Sequence, residues 1–245
     1  MFKKERNKDK YVFELKKFTI RHEKSAMKIG VDSIILGAWT RIPSQGRILD
    51  VGTGCGILAL MMAQRTNLEI DAVECDKLSY EEALENFYNS LWKDRLFIYN
   101  CFFQEYALNC NKNYSLIICN PPYFKAGTTP SNPTRKNARH DKLLTLQELI
   151  FYSKRLLDKE GFLSIIIPFE RYNDLKKFVD ENKMFINRIL YVKPTPVKSI
   201  RRVCLEISIS KNNIFEEKNL IIEMKKRKEY SEDYINLTKD FYIIF

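Results

Sequence analysis

The chain has little of what secreted, membrane and metal proteins are built from. Its six cysteines are scattered without a C-x-x-C pair, and it has two histidines, His22 and His140, so neither a disulfide framework nor a zinc site is expected. No stretch approaches the roughly 18 apolar residues of a membrane-spanning helix. Residues 1–10 are basic and lack the apolar core of a signal peptide. We therefore expect a cytoplasmic protein with reduced thiols, no metal and no membrane association.

Acidic residues are outnumbered by basic ones. Lys and Arg total 41 against 31 Asp and Glu, which gives a net charge of +10. A surplus of this size favours a polyanionic partner, and nucleic acid more than a membrane, although solubility alone could also explain it. With 45% hydrophobic and 29% charged residues over 245 positions, the chain has a globular composition and can bury a sizeable core.

A proline-rich tetrapeptide, Asn120-Pro-Pro-Tyr123, follows an apolar run at 114–119 that is typical of a buried parallel strand. The prolines end that strand and hold Asn120 in an extended conformation at its tip. The Asn120 side-chain oxygen and the freed backbone carbonyls can accept hydrogen bonds from the NH₂ of a planar base or amide, and Tyr123 can stack on the ring. An ordinary turn is the alternative. The catalytic candidates are Asn120, Pro121, Pro122 and Tyr123.

A glycine-rich turn lies upstream, between a predicted strand that begins at Arg47 and a predicted helix at 57–64. Gly52, Gly54 and Gly56 let the backbone turn sharply and approach a ligand, while the helix start supplies N–H donors. A dinucleotide fingerprint would place its third glycine at position 57, where this chain has Ile57. The spacing therefore disfavours a dinucleotide-dependent oxidoreductase.

A carboxylate, Glu74, follows the next predicted strand, 69–73. At the tip of the second strand it can accept hydrogen bonds from both ribose hydroxyls of a nucleoside cofactor. The alternative is that Glu74 or Asp76 only caps the following helix; we assign the ribose to Glu74 and the cap to Asp76.

Strand and helix patterns alternate up to about residue 181, and two strands then follow each other. This order predicts an α/β fold with a mostly parallel seven-stranded sheet, an antiparallel edge hairpin and helices on both faces. We expect one domain over 1–245, with an arm and cap helix at 1–45 and the core at 46–245. Helices are predicted at 31–39, 77–91, 145–159 (with Gly161 as its stop) and 170–181, and later strands at 96–99, 114–119, 162–167, 184–192, 203–209 and 220–224.

These motifs together resemble the class I S-adenosylmethionine-dependent methyltransferases with a Rossmann-like fold, in the branch that modifies amino groups. The stretch from His22 to Trp39, with Lys-Ile-Gly-Val-Asp-Ser in its centre, is also similar to the N-terminal signature of the bacterial tRNA (adenine-N6)-methyltransferases that act on adenine 37 of valine tRNA. Ala138-Arg-His140 and the tail at 237–242 fit the same family. The resemblance runs along essentially the whole chain and implies S-adenosylmethionine as cofactor, tRNA as substrate and a monomer.

The resemblance also implies roles for individual positions. Asp50 and the glycine turn would cradle the cofactor, Glu74 would hold its ribose, and 28–32 would close over its methionine end. One departure concerns the place after the third strand, near Cys101, where an acidic residue usually contacts the cofactor's adenine; a backbone carbonyl, Asn100 or a weaker hold on the cofactor are the alternatives here. The cofactor-binding candidates are Lys28, Asp32, Asp50, Gly52, Thr53, Gly54, Gly56, Glu74, Cys101, Phe102 and Asn120.

Two basic segments, 125–142 and 193–202, are predicted to form a tRNA-binding rim, with a solvated charged surface as the alternative. Three other functions stay open: methylation of a release-factor glutamine, although a long N-terminal helical domain would be expected there; methylation of DNA or ribosomal RNA adenine; and a non-catalytic RNA-binding protein that keeps the fold. The RNA-binding candidates are Lys136, Arg139, His140, Arg201 and Arg202.

Overall fold

A computed structural model describes residues 10–25, 27–121, 144–212 and 214–245. The strands are β1 (Val12–Glu14), β2 (Thr19–Arg21), β3 (Arg47–Val51), β4 (Glu69–Val73), β5 (Leu96–Tyr99), β6 (Tyr114–Cys119), β7 (Leu157–Pro168), β8 (Phe185–Lys193), β9 (Arg202–Ser208) and β10 (Glu216–Ile221). The helices are α1 (Val31–Trp39), α2 (Ile57–Arg65), α3 (Lys77–Tyr88), α4 (Phe103–Asn109), α5 (Leu146–Leu156), α6 (Tyr172–Glu181) and α7 (Glu232–Thr238).

Eight of the strands form one sheet, in the order β10-β8-β9-β7-β6-β3-β4-β5, and β1 and β2 form a separate antiparallel pair. Seven strands of the large sheet are parallel, and β9 alone runs against its neighbours β7 and β8. The predicted α/β, mostly parallel architecture is confirmed, with one strand more than predicted. That strand is β10, which pairs in parallel with β8, so the β8–β9 hairpin lies inside the sheet rather than at its edge.

The parallel strands β3, β4 and β6 end at the same side of the sheet, which we call the carboxyl edge. Their register pairs Val51 with both Val73 and Cys119, so Gly52, Glu74 and Asn120 all follow directly at that edge. The β8–β9 connection reaches the same edge, because Val192 in β8 pairs with Arg202 in β9. Chain segments far apart in sequence therefore meet along one line.

Both faces of the sheet are covered, which explains why β3 and β6 are apolar along nearly their whole length. Residues of β1–β2, α1, α2, α3 and α7 pack on one face around a core that includes Ile35, Met61 and Phe87. Residues of α4, α5 and α6 pack on the other around Ile117, Leu149 and others. The helix layers leave the carboxyl edge as the place where loops converge.

The predicted end of α5 was wrong. Its start is as expected, because Thr145 and Glu148 form a capping box, but the helix ends at Leu156, and Gly161 lies within β7. A Cβ on Gly161 would lie 2.6 Å from the Tyr114 carbonyl oxygen, at an irregularity in the β6–β7 register. This glycine permits a close backbone approach and does not stop a helix.

Candidate active site at the carboxyl edge

The glycine turn after β3 lies against the end of β4. The amides of Gly52 and Thr53 both donate to the Val73 carbonyl, at 2.9 and 3.2 Å. Gly52 and Gly54 have φ of +68° and +59°, in the region that glycine adopts without strain. A Cβ at either position would meet nothing within 4 Å, so the turn borders open space in which a ligand can approach the backbone.

Asp50 is the buried anchor of this turn. One of its carboxylate oxygens, Oδ2, accepts from Thr53 Oγ1 at 2.5 Å and from the Ala59 amide at 3.0 Å. Burial raises the pKa of Asp50 to about 7, although the bonds from Thr53 and Ala59 act to lower it. Its Oδ1 is buried and meets no hydrogen-bond partner among the described residues. Asp50 therefore fixes the turn and leaves one acceptor for a further donor.

Glu74 lies at the tip of β4 and is 8% exposed. Its Oε2 accepts from the Gly54 amide at 2.9 Å and its Oε1 from the Asp76 amide at 2.8 Å. Burial raises its pKa, and hydrogen bonds from Asp76 and Gly54 oppose that shift. The predicted cap is confirmed at Asp76, which accepts from the Ser79 amide at 3.0 Å at the start of α3. Glu74 is thus oriented toward the glycine turn, as a ribose ligand would have to be.

Asn120 follows β6 at the carboxyl edge, and the structure adds a partner that the sequence did not indicate. Its Nδ2 donates to Ser33 Oγ in α1 across 3.0 Å. Pro121 behind it is buried. The predicted catalytic residues Pro122 and Tyr123 lie outside the described residues.

Two candidates from the 28–32 segment are engaged in the protein's own structure. Asp32, in the first turn of α1, accepts from Arg202 Nε at 2.7 Å. The Lys28 ammonium donates to the carbonyls of His22 and Glu23 at 2.7 and 2.8 Å. The segment that leads to α1 is therefore held by these bonds, and the roles of Lys28 and Asp32 toward a cofactor stay predictions.

Buried Glu82 of α3 also holds this segment. Its carboxylate accepts from the amides of Glu23, Lys24 and Ser25 at 2.6 to 2.8 Å. Burial alone would raise its pKa, but the hydrogen bonds from Ser25 and the neighbouring amides outweigh it and lower the pKa of Glu82 below its usual value. Glu82 was not predicted, because a glutamate in an amphipathic helix gives no sign of such partners.

The region after β5 shows how the chain manages without an acidic residue there. Asn100 Nδ2 donates to the Glu74 carbonyl at 2.8 Å, so Asn100 links the ends of β4 and β5. Cys101 is partly buried, and burial, together with Glu105, raises its pKa. Phe102 lies at the start of α4. Asn100, Cys101 and Phe102 are thus placed beside Glu74 at the carboxyl edge, where their contact with a cofactor stays a prediction.

Of the predicted RNA-binding residues, Arg201 and Arg202 lie in the β8–β9 connection at the carboxyl edge, while Lys136, Arg139 and His140 lie outside the described residues. Arg201 is exposed and Arg202 is partly exposed. Within the described ranges, no three His, Cys, Asp or Glu side chains are grouped so as to hold a metal. No helix in those ranges has the length and apolar character needed to cross a membrane.

Comparison with known proteins defines the class first. A family model, the methyltransferase small domain, matches residues 30–185. A predicted O-methyltransferase from Agrobacterium tumefaciens superposes with a TM-score of 0.69 at 16% identity, covering 86% of this chain and 96% of that one. TYW2 from P. horikoshii superposes with a TM-score of 0.57 at 13% identity, covering 81% and 71%. At these identities the structures show the fold, which is that of Rossmann-like class I methyltransferases.

Sequence relatives then narrow the class. A protein of Flavobacterium psychrophilum named tRNA1(Val) (adenine(37)-N6)-methyltransferase is 38% identical over 95% of this chain and 99% of its own length. A protein of the same name from Trichodesmium erythraeum is 38% identical over 94% and 97%. The chain belongs to the tRNA1(Val) (adenine(37)-N6)-methyltransferase family.

Proposed function

We propose that this protein transfers a methyl group from S-adenosylmethionine to the exocyclic N6 amine of a tRNA adenine, namely adenine 37 of tRNA1(Val). The observation that carries the proposal is the position of Asn120. It lies at the tip of β6, on the same edge as the glycine turn and Glu74, and its amide nitrogen is taken up by Ser33. This arrangement turns the amide oxygen away from Ser33, where it can accept from a substrate amine.

The cofactor site fits the residues that are present. Gly52 and Gly54 border open space, Glu74 offers carboxylate oxygens at the end of β4, and Asp50 has a buried oxygen without a partner among the described residues. Glu74 would hold the ribose hydroxyls and the glycine turn would lie along the methionine part. When bound, S-adenosylmethionine supplies a methyl group that its sulfonium has already activated.

The chain's own residues then have to align a weak nucleophile. The lone pair of an aryl amine is delocalised into the ring, and acceptors that grip its hydrogens hold the nitrogen closer to tetrahedral. Asn120 Oδ1 and the Pro121 backbone carbonyl are the acceptors proposed here, and Tyr123 is proposed to stack on the base. Positioning of this kind accounts for most of the rate when the leaving group is already activated.

The substrate base must leave its stack before it can reach Asn120. Adenine 37 lies beside the anticodon in a loop, where unstacking costs less than in a duplex. Arg201 and Arg202 approach the same edge from the β8–β9 connection, and we propose that they hold the tRNA backbone together with Lys136, Arg139 and His140. A tRNA substrate also motivates the proposals of a cytoplasmic location and a monomer.

Incubation with methyl-labelled cofactor tests this function. The purified protein is given unmodified total tRNA, DNA and a release factor in separate reactions, with Asn120→Ala as the matched control. We expect label in tRNA only, recovered as N6-methyladenosine, and none with Asn120→Ala. Label in release-factor protein or in DNA would contradict the proposed substrate, and cofactor binding without any transfer would support a non-catalytic RNA-binding protein.

A further inference from the structure

The side-chain amide of asparagine carries an oxygen and a nitrogen of nearly the same size, and rotation by half a turn exchanges them. Only the oxygen can accept a hydrogen bond from a substrate amine; the NH₂ group is a donor and would face the amine's own hydrogens. An Asn120 that rotated freely would therefore spend part of its time in an orientation that opposes the reaction. The protein needs something that selects one orientation.

Ser33 supplies that selection. Its Oγ accepts from Asn120 Nδ2 at 3.0 Å, and Ser33 is 7% exposed, so little water competes for this bond. The bond connects positions 87 residues apart in the chain. It does not cap α1, because the residue at the N-cap is Gly30, which has no side chain. The Ser33 hydroxyl is therefore directed at Asn120 rather than at its own helix.

The helix that carries Ser33 is fixed at both ends. At its start, Asp32 accepts from Arg202 Nε at 2.7 Å. At its end, Thr40 Oγ1 and Ser164 Oγ of β7 lie 2.6 Å apart and share a hydrogen bond. Because α1 is tied to both β9 and β7, Ser33 Oγ occupies a defined position relative to the tip of β6.

We propose that Ser33 is a positioning residue for the methyl transfer, acting through Asn120 by fixing its amide with the oxygen toward the substrate amine. This inference rests on the proposed function, and it adds a residue of α1 to the groups on which turnover depends. Ser33 does not contact the reacting atoms. Its loss should therefore lower the rate of the chemical step while leaving the affinity for cofactor and the fold unchanged.

The size of the effect follows from one hydrogen bond. Loss of the Ser33 hydroxyl removes the preference between the two amide orientations, and we expect kcat to fall about tenfold. KM for tRNA should change little, because binding of the RNA backbone does not involve the Asn120 amide. Ser33→Ala makes this change with the least disturbance of packing.

A second pair of variants separates the hydroxyl from the volume of the side chain. Ser33→Thr keeps a hydroxyl and Ser33→Val has nearly the same shape without one. Ser153→Ala is a matched control, because Ser153 is fully buried in α5 and its Oγ has no hydrogen-bond partner among the described residues. The expected order of kcat is wild type, Ser153→Ala and Ser33→Thr together, with Ser33→Ala and Ser33→Val about tenfold lower.

The experiment measures kcat and KM with unmodified tRNA, cofactor affinity by calorimetry and Tm for all five proteins. A selective loss of kcat in the two variants without a hydroxyl, with cofactor affinity and Tm retained, supports the inference. Wild-type kcat in Ser33→Ala overturns it, and so does an equal loss in the Thr and Val variants, which would indicate a packing role. If the wild type itself methylates no tRNA, the proposed function fails and the inference falls with it; wild-type turnover with an unaffected Ser33→Ala overturns the inference alone.

Discussion

Arg202 donates from Nε to Asp32 Oδ2 across 2.7 Å and thereby joins the start of β9 to the first turn of α1. Arg202 was predicted to hold RNA, and Asp32 was predicted to lie over the cofactor. The ion pair places these two predicted roles in direct contact. It also lies next to Ser33, which holds Asn120.

This pair changes what substitution at position 202 should do. Both side chains are partly exposed, 31% for Arg202 and 25% for Asp32, so the pair contributes only about 0–1 kcal/mol to stability. We expect Arg202→Ala to weaken tRNA binding and also to lower cofactor affinity a few-fold, because Asp32 loses its partner. Filter binding against salt and calorimetry measure the two effects.

Arg201→Ala is the matched control for that prediction. Arg201 is exposed at the same connection, and its backbone, rather than its side chain, makes the bonds to Val192 and Phe169. It should weaken tRNA binding, with a salt-dependence slope lower by about 0.7–0.9 if one phosphate contact is lost, and leave cofactor affinity unchanged. Equal cofactor affinity in both variants would show that the Arg202–Asp32 pair does not influence the cofactor site.

Glu74→Ala should weaken cofactor binding by about tenfold to a hundredfold, because charge-assisted hydrogen bonds contribute roughly 1.5–3 kcal/mol. The carboxylate also accepts from the Gly54 amide, so its removal loosens the glycine turn as well. Calorimetric titration with S-adenosylmethionine measures the loss.

Asp76→Ala serves as the control for Glu74. It removes the cap of α3 and should cost about 1 kcal/mol of stability, but it keeps the backbone amide that donates to Glu74. Its cofactor affinity should stay near that of the wild type. Unchanged affinity in Glu74→Ala would return Glu74 to a purely structural role.

The raised pKa of Asp50 gives the cofactor-free protein a specific pH dependence. In the unfolded chain this carboxyl titrates near 3.8 and in the folded protein near 7, so the folded state binds the proton more tightly. The resulting stabilisation is fully present below the unfolded value and is lost as pH rises through the folded value. Between these limits the contribution falls by about 1.4 kcal/mol per pH unit.

Asp50→Asn, a neutral side chain of the same shape, isolates this contribution. Urea unfolding of wild type and variant from pH 4 to pH 8 should show a stability difference that changes across the window and becomes constant above about pH 7. Parallel curves for the two proteins would mean that Asp50 is ionised throughout and that another donor compensates its burial.

Much of the fold could be predicted because its signals are local. The bounds of α1, β4, β5 and β6 match the prediction, since each is a run of apolar residues at a clear spacing that ends at a proline, glycine or polar residue. β10 was displaced from the predicted 220–224, because Glu216–Ile221 is an edge strand with several exposed charged residues and little apolar pattern. The place of Gly161 in β7 depends on how closely β6 approaches, which no local pattern reports.

The same division applies to the candidate site. The glycine turn, Glu74 and Asn120 were found because each directly follows an apolar strand, and the register of the sheet brings them to one edge. Ser33, Glu82 and Asn100 were missed, since each acts through a partner whose position only the folded chain reveals. Pro122, Tyr123, Lys136, Arg139 and His140 lie outside the described residues, and their roles stay predictions, as does the division into an arm at 1–45 and a core at 46–245.

The most direct test of the account locates the methyl group itself. Unmodified tRNA1(Val) is incubated with cofactor and either wild-type protein or Asn120→Ala, digested with a base-specific ribonuclease, and the fragments are weighed by mass spectrometry. The account predicts one added methyl group on the fragment that contains adenine 37, recovered as N6-methyladenosine, and none with Asn120→Ala, although that variant still binds the cofactor. Methylation at another nucleotide, or undiminished methylation by Asn120→Ala, would contradict it.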